Sequence, residues 1–259
     1  MALPVLVTGG TGRLGRPVVR RLGDAGCDVR VLSRRGHGAG EGIRFFTGDL
    51  RTGEGVDLAV AGAAAVVHCA SSTKGDVEAT RNLIQAASRA GSPHLLHVSI
   101  VGVDQIASWG YVKVKLRTER LVADSGLPWT ILRATQFYDY ILSNIEKMTR
   151  LPIAPVPAGF RVRPVDPEEV AARLVELTLA GPAGRVPDIS GPQVTDWAGL
   201  IRDYLRATGR HRWVIPVRIP GTRAVRAGGL LPPAGHTIGQ RTWQEFLTAN
   251  LSPQSPTSP

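Results

Sequence analysis

Thr8-Gly9-Gly10-Thr11-Gly12-Arg13-Leu14-Gly15 follows directly on an apolar run at residues 4–7 and leads into an amphipathic stretch at 14–25. It satisfies two glycine spacings at once, Gly9-x-x-Gly12-x-x-Gly15 and Gly10-x-Gly12-x-x-Gly15. Placed between a strand and a helix, such glycines allow a tight turn, let backbone approach a pyrophosphate, and let the helix pack closely on the strand. The helix start adds unpaired N–H groups and positive potential for phosphate. An ordinary glycine-rich turn is the competing reading, and the strand–turn–helix placement disfavours it.

Outward from this turn, short apolar runs alternate with helical patterns. Strands are expected at 4–7, 28–33, 43–47, 64–69, 94–99 and 129–133, and helices at 14–25, 76–90 and 111–123. Asp76 is read as an N-cap and Gly91 as a helix stop. Strands separated by single helices pair in parallel through right-handed crossovers. The expected fold is α/β, a Rossmann-type doubly wound parallel sheet with a small C-terminal substrate-side extension.

The texture changes after Leu151. Pro152, Pro155 and Pro157 demand extended chain and mark a boundary or lid-like loop. Asp166-Pro167-Glu168-Glu169 opens a helix, with a cap, a proline in the first turn and acids behind it. Further helices are expected at 195–207 and 242–249. The division read from this is 1–150 as the dinucleotide-binding core, 151–251 as the substrate side of the same domain, and 252–259 as a disordered Ser/Pro-rich tail.

The end of the second strand selects the dinucleotide. An acid there binds the ribose 2′-hydroxyl of NAD, whereas arginine accommodates a 2′-phosphate. The chain reads Leu32-Ser33-Arg34-Arg35, without an acid, and Arg13 lies on the nearby turn. Arg34 can pair with the phosphate through its planar fork, and Ser33 can donate a hydroxyl. NADP(H) is therefore preferred over NAD(H). The bland alternative is that Arg34 and Arg35 are loop charges in an arginine-rich chain.

As a set, these motifs resemble the short-chain dehydrogenase/reductase superfamily, and within it the atypical, NmrA-like NAD(P)H-binding branch. The resemblance spans about residues 1–190. It implies cofactor contacts from Gly9, Thr11, Gly12, Arg13, Leu14 and Gly15, from Ser33, Arg34 and Arg35, and from Asp49 and Leu50 beside adenine. It also implies that Ala70 and Ser71, in His68-Cys69-Ala70-Ser71, line the cofactor after strand four. Residues 126–133 resemble the approach to strand six, and 134–137 then near the nicotinamide.

Tyr111-Val112-Lys113-Val114-Lys115 fits the superfamily's Tyr-x-x-x-Lys spacing, which puts both side chains on one helix face. The resemblance implies that Lys115 holds the nicotinamide ribose and favours the Tyr111 phenolate, while Tyr111 exchanges a proton with a carbonyl or alcohol oxygen. Ser99 is the candidate third catalytic member, and Ser108 a substitute for it. Against this stand the accident of a Tyr and a Lys four apart, and Lys113 as a competing partner.

The chain of 259 residues carries 31 Lys and Arg against 21 Asp and Glu, a formal net charge of +10. The basic residues are dispersed and no finger, zipper or RNA-binding signature accompanies them, so no nucleic acid is expected. Cys27 and Cys69 lie in or beside apolar runs and read as buried small hydrophobes. The six histidines show no metal spacing, so no metal is expected, and His94 and His97 point to opposite faces of a strand. The N-terminal apolar run is short and lacks a basic leader, and no later run reaches membrane-spanning length. A cytoplasmic protein, monomer or homodimer, is expected.

Trp213, Arg218, Arg223 and Arg226 make the C-terminal third basic with apolar interruptions, suited to an acidic or aromatic small-molecule substrate or simply to solvent. Two functions remain. One is an NADP(H)-dependent oxidoreductase acting on a carbonyl/alcohol pair. The other is a non-catalytic dinucleotide sensor of the NmrA-like kind. A sugar-nucleotide epimerase is a weaker third.

Overall fold

The computed structural model describes residues 2–35, 42–72, 74–106 and 110–251. Ser108 and the tail 252–259 lie outside the described residues. In chain order the elements are β1 (Pro4–Thr8), α1 (Gly15–Asp24), β2 (Asp28–Ser33), β3 (Ile43–Thr47), α2 (Val56–Val60), β4 (Ala65–His68), α3 (Asp76–Arg89), β5 (His94–Ile100), α4 (Gly110–Ala123) and β6 (Trp129–Ala134). There follow α5 (Tyr138–Met148), β7 (Ile153–Pro157), β8 (Arg161–Val162), α6 (Pro167–Ala180), β9 (Gly184–Arg185), β10 (Ile189–Ser190) and β11 (Thr195–Asp196). The chain closes with α7 (Trp197–Ala207), β12 (Trp213–Val217), β13 (Thr237–Ile238) and α8 (Trp243–Leu251). Two compact units interleave in sequence: Met1–Ala134 with Pro167–Asp188, and Thr135–Asp166 with Ile189–Pro259.

In the first unit the strands run in the order β3-β2-β1-β4-β5-β6, every neighbouring pair parallel, with β9 added beside β6. This is the Rossmann-type α/β sheet, whose order reverses between β1 and β4. Ligands of open α/β sheets bind in the crevice outside the carboxyl ends at such a reversal. α1 and α6 pack together, and Glu168 at the start of α6 accepts hydrogen bonds from Arg20 at 2.6 Å and Arg21 at 3.2 Å. α2, α3 and α4 pack in sequence against one another on the other helical layer.

The strands explain themselves by period two. Leu6, Leu32, Val66, Leu95 and Ile131 project into one core cluster with Val60 of α2, Leu83 of α3 and Val122 of α4. Two residues further along, on the same face, the apolar stripe turns polar as Thr8, His68, His97 and Arg133. Each finds a partner: Thr8 bonds His68 at 2.7 Å, His97 bonds Thr118 of α4 at 3.3 Å, and Arg133 reaches Glu119 of α4 at 2.8 Å. The core is thus apolar at the amino half of the sheet and polar at the carboxyl edge where the glycine turn lies.

Several expectations change. Asp76 is not an N-cap: Gly75 holds that position in the left-handed conformation (φ +86°), and Asp76 is the first helical residue. Gly91 does stop the helix, at φ +93°. The proline-rich run is strand rather than loop, because Pro155 faces outward while Ala154 and Val156 are buried, and it pairs in parallel with β12.

The second unit is built around α5, α7 and α8. Tyr138, Trp243 and Phe246 form an aromatic knot with ring centroids 5.3 to 5.6 Å apart. The polar tips are satisfied, Tyr138 donating to the Arg241 carbonyl at 2.9 Å and Trp243 to the Leu200 carbonyl at 3.3 Å. Short pairs border it: β8 with β11 antiparallel and β10 with β13 parallel. Trp213 is 76% exposed, and Arg218, Arg223 and Arg226 are exposed as well.

Candidate functional site

The glycine turn is dictated by its own backbone. Gly12 N–H closes it onto the Gly9 carbonyl at 2.9 Å, and Gly9 takes φ +68°. A Cβ on Gly9 would stand 2.6 Å from the Ala70 nitrogen, and one on Gly15 would stand 2.0 Å from the Gly9 carbonyl oxygen. The loop after β4 therefore presses directly on the loop after β1, at the reversal of strand order. α1 begins at Gly15 without a side-chain cap and without an acid in its first turn. A helix start without a side-chain cap, facing a glycine-rich turn, fits a pyrophosphate.

This geometry makes a prediction. In Gly15→Ala, backbone must move, and the affinity expected for a nicotinamide dinucleotide should fall about 100-fold, the loss of two hydrogen bonds to a charged group at about 1.5 kcal/mol each. Gly23→Ala, in the same helix with open space around it, should stabilise the fold by about 1 kcal/mol and leave binding unchanged. Fluorescence titration and thermal melting of both variants check this.

The other expected cofactor residues sit on the turn itself and on the segments that follow β2, β3 and β4. Thr11 and Arg13 are exposed, and Leu14 is buried beneath them. Ser33 ends β2, and its hydroxyl accepts the Arg35 N–H at 3.3 Å, which orders the segment carrying exposed Arg34 and Arg35. Asp49 spends one carboxylate oxygen on the Arg51 N–H at 2.8 Å, and the Leu50 carbonyl accepts from Asn82 of α3 at 2.8 Å. Ala70 N–H donates to the Thr8 hydroxyl at 3.4 Å, tying the two loops together.

Tyr111 and Lys115 stand one turn apart on α4, as the spacing requires. Tyr111 is 40% exposed, whereas the Lys115 side chain is only 4% exposed. Lys113 faces solvent, so Lys115 is the inward lysine. Its ammonium lies 3.6 Å from Asp76 Oδ2. The same carboxylate oxygen accepts the Ser71 hydroxyl at 3.1 Å, and Ser71 Oγ lies 3.1 Å from the Tyr111 hydroxyl. Asp76 Oδ1 is taken by the Ser72 N–H.

Ser99 stands differently. It is 2% exposed at the carboxyl end of β5, and its hydroxyl has no hydrogen-bond partner among the described residues. The structure brings Ser71, not Ser99, to Tyr111. Asp76 is the site residue that sequence reasoning missed. Its position at the head of an amphipathic helix satisfied a capping rule and drew attention no further.

Beneath the site, burial holds His68 neutral with its pKa pushed down to about 3, and Lys115 adds to the effect. His97, stacked on His68 at 5.3 Å, is pushed well down for the same reasons. Burial pushes the Cys69 thiol up to about 12, which suits a packing role rather than a nucleophile. His94 pairs with Thr130 at 2.9 Å on the opposite face of β5 from His97.

The model of the NAD(P)H-binding family matches residues 9–178. A (4-alkanoyl-5-oxo-2,5-dihydrofuran-3-yl)methyl phosphate reductase of Streptomyces griseus is 35% identical, across 96% of this chain and 89% of that protein. An NAD(P)H azoreductase of Xenophilus azovorans is 26% identical, across 88% of this chain and 82% of its own. An NADPH-dependent quinone oxidoreductase of Escherichia coli, solved with NADPH, superposes with a TM-score of 0.80 at 20% identity, covering 95% of this chain and 99% of that chain. At that identity the last likeness shows the fold alone. No helix among the described residues is long and apolar enough to cross a membrane.

Proposed function

The chain belongs to the NAD(P)H-binding family, and from that premise we propose that it is an NADP(H)-dependent oxidoreductase, moving hydride to or from the carbonyl/alcohol carbon of a small organic molecule. The observation that carries this reading is the placement of Tyr111, Ser71, Asp76 and Lys115 in one hydrogen-bonded and ion-paired row, in the same unit as the uncapped glycine turn. The reductase relatives support the reaction type, and the names of two of them describe furanone and azo acceptors. Their common chemistry is a conjugated, electron-poor acceptor. The net charge of +10 favours one bearing an acidic group. A cytoplasmic location and a monomeric or homodimeric state belong to the same proposal.

The residues divide the work. Gly9, Gly12 and Gly15 give the pyrophosphate access to backbone, with Thr11, Arg13 and Leu14 completing the turn. Arg34, with Arg35 and Ser33, receives the 2′-phosphate, and Asp49, Leu50, Ala70 and Ser71 border the adenine and nicotinamide halves. When bound, the reduced nicotinamide supplies hydride to the acceptor carbon. Tyr111 gives the proton to the acceptor oxygen, and the Lys115 ammonium favours the phenolate left behind. Ser99 lines the buried floor of the site, and the hydroxyl partner of Tyr111 is Ser71.

NADPH and NADH titrations followed by nucleotide fluorescence, on the native protein and on Arg34→Ala, test the cofactor half of this reading. NADPH should bind more tightly than NADH, and Arg34→Ala should weaken NADPH alone by about tenfold or more, the worth of a hydrogen bond between charged groups. Equal binding of both nucleotides, unmoved by the variant, would remove the NADP preference. Binding of neither would remove the reading altogether.

A further inference from the structure

We propose that Ser71 and Asp76 form a proton-handling pair for Tyr111, with Ser71 passing protons between solvent and the phenol and Asp76 acting as the positioning residue that orients Ser71 and anchors Lys115. The proposal rests on Tyr111 being the acid of the reductase reading. Its geometry is the row Tyr111 Oη, Ser71 Oγ, Asp76 Oδ2, Lys115 Nζ, with successive separations of 3.1, 3.1 and 3.6 Å.

The directions of the bonds follow from what each group can do. Asp76 as a carboxylate only accepts, so the Ser71 proton points at Asp76 and a Ser71 lone pair faces Tyr111. Tyr111 then donates to Ser71 in the resting site. Once Tyr111 has given its proton to the acceptor oxygen, the Ser71 hydroxyl turns to donate to the phenolate. Its proton crosses to Tyr111 Oη while a proton from solvent takes its place on Ser71 Oγ, which is exposed. The balance is phenolate plus hydronium giving phenol plus water, with no other reactant consumed.

Asp76 also sets the local charge. It is buried at 7% side-chain exposure against Lys115 at 4%, so the pair is close to neutral as Tyr111 meets it. Among the other charged groups nearby, Lys113 and Arg117 of α4 and Lys74 before α3 are exposed to solvent. His68 and His97 remain neutral at working pH, Arg51 lies beside Gly75 behind Asp76, and Arg133 is matched by Glu119 and Asp104. Removing the Asp76 charge leaves the Lys115 ammonium unopposed, which favours phenolate. Removing the Ser71 hydroxyl takes away a phenolate donor and has the opposite sign.

The test needs no substrate. Tyrosinate absorbance is titrated for the native protein, Ser71→Ala, Asp76→Asn and Asp76→Glu, with the signal of Tyr111→Phe subtracted in each case to isolate Tyr111. Asp76→Asn should lower the midpoint by about one pH unit, and Ser71→Ala should raise it by about half a unit. Asp76→Glu, which keeps the charge, should restore the native midpoint. Should Asp76→Asn fail to fold, the Ser71→Ala and Asp76→Glu titrations still decide. Midpoints unmoved in Ser71→Ala and Asp76→Asn, or in Ser71→Ala alone if only that variant folds, would overturn the pairing. NADPH oxidation with 1-phenylpropane-1,2-dione separates this from the reading beneath it. If Tyr111→Phe leaves turnover intact the reductase role of Tyr111 fails, whereas moved midpoints with a Tyr111→Phe defect and a native rate in Ser71→Ala remove only the relay.

Discussion

Tyr111→Phe should reduce kcat for NADPH-dependent carbonyl reduction by about 10³-fold, roughly 4 kcal/mol of barrier, with NADPH affinity unchanged. The substitution removes one oxygen from a ring that is 40% exposed, so folding and the glycine turn have little reason to respond. What is lost is the phenol that the Ser71–Asp76–Lys115 row positions toward the acceptor in the proposed reaction. Water can replace it, but without the orientation that Ser71 imposes at 3.1 Å or the ammonium that steadies the phenolate. Steady-state rates across a series of acceptors give the decisive comparison. Loss confined to ketones, with quinones spared, would mean that hydride transfer proceeds without Tyr111 when the product anion is stable. An unaffected rate for every acceptor, or no turnover by the native protein beside intact NADPH binding, would favour a dinucleotide sensor.

The glycine turn and the Rossmann half of the chain were legible in the sequence for mechanical reasons. A Cβ at Gly9 or Gly15 would collide with backbone, so the spacing is forced and visible as letters. The strands β1, β2 and β4 to β6 are largely buried and read as apolar-rich runs between helical patterns, with polar residues such as Arg30, His97 and Arg133 set into them. The two-residue strands β8, β9, β10, β11 and β13 are too short to show any period. α2 and α5 escaped as well, α2 for want of length and α5 because its aromatic start reads equally as strand. The course of α6 back to the first unit is a long-range fact, fixed by Glu168 meeting Arg20 and Arg21 nearly 150 positions away. At the site, Tyr111 and Lys115 were legible because one helix sets their spacing. The Ser71–Tyr111 contact, 40 residues apart in sequence, and the Asp76–Lys115 pair exist only once β4, α3 and α4 have packed.

That packing carries a cost in acid, which yields the other large effect. Thr8, His68 and Thr80 form a chain whose donors can be assigned. Ala70 N–H donates to Thr8, Thr8 to His68 Nδ1, His68 Nε2–H to Thr80, and Thr80 to the Asp76 carbonyl at 2.7 Å. This uses the neutral imidazole, as does His97, whose ring faces Thr118. With Lys115 close to both, a proton on either ring would be buried beside an existing charge. The unfolded chain binds these protons near pH 6.5, whereas His68 in the fold resists them down to about pH 3 and His97 is shifted in the same direction. Below pH 6.5 the unfolded state therefore holds more protons, and stability must fall as pH falls. His68 alone should remove about 2 kcal/mol between pH 6.5 and 4.5, and His97 and His94, whose pKa values are also lowered by burial, act in the same direction. Urea unfolding at pH 6.5, 5.5 and 4.5 reads this directly, and His97→Asn should make the slope shallower while lowering stability at every pH. A stability curve flat through this window would mean that the histidines take up protons in the fold, and that burial does not hold their rings neutral.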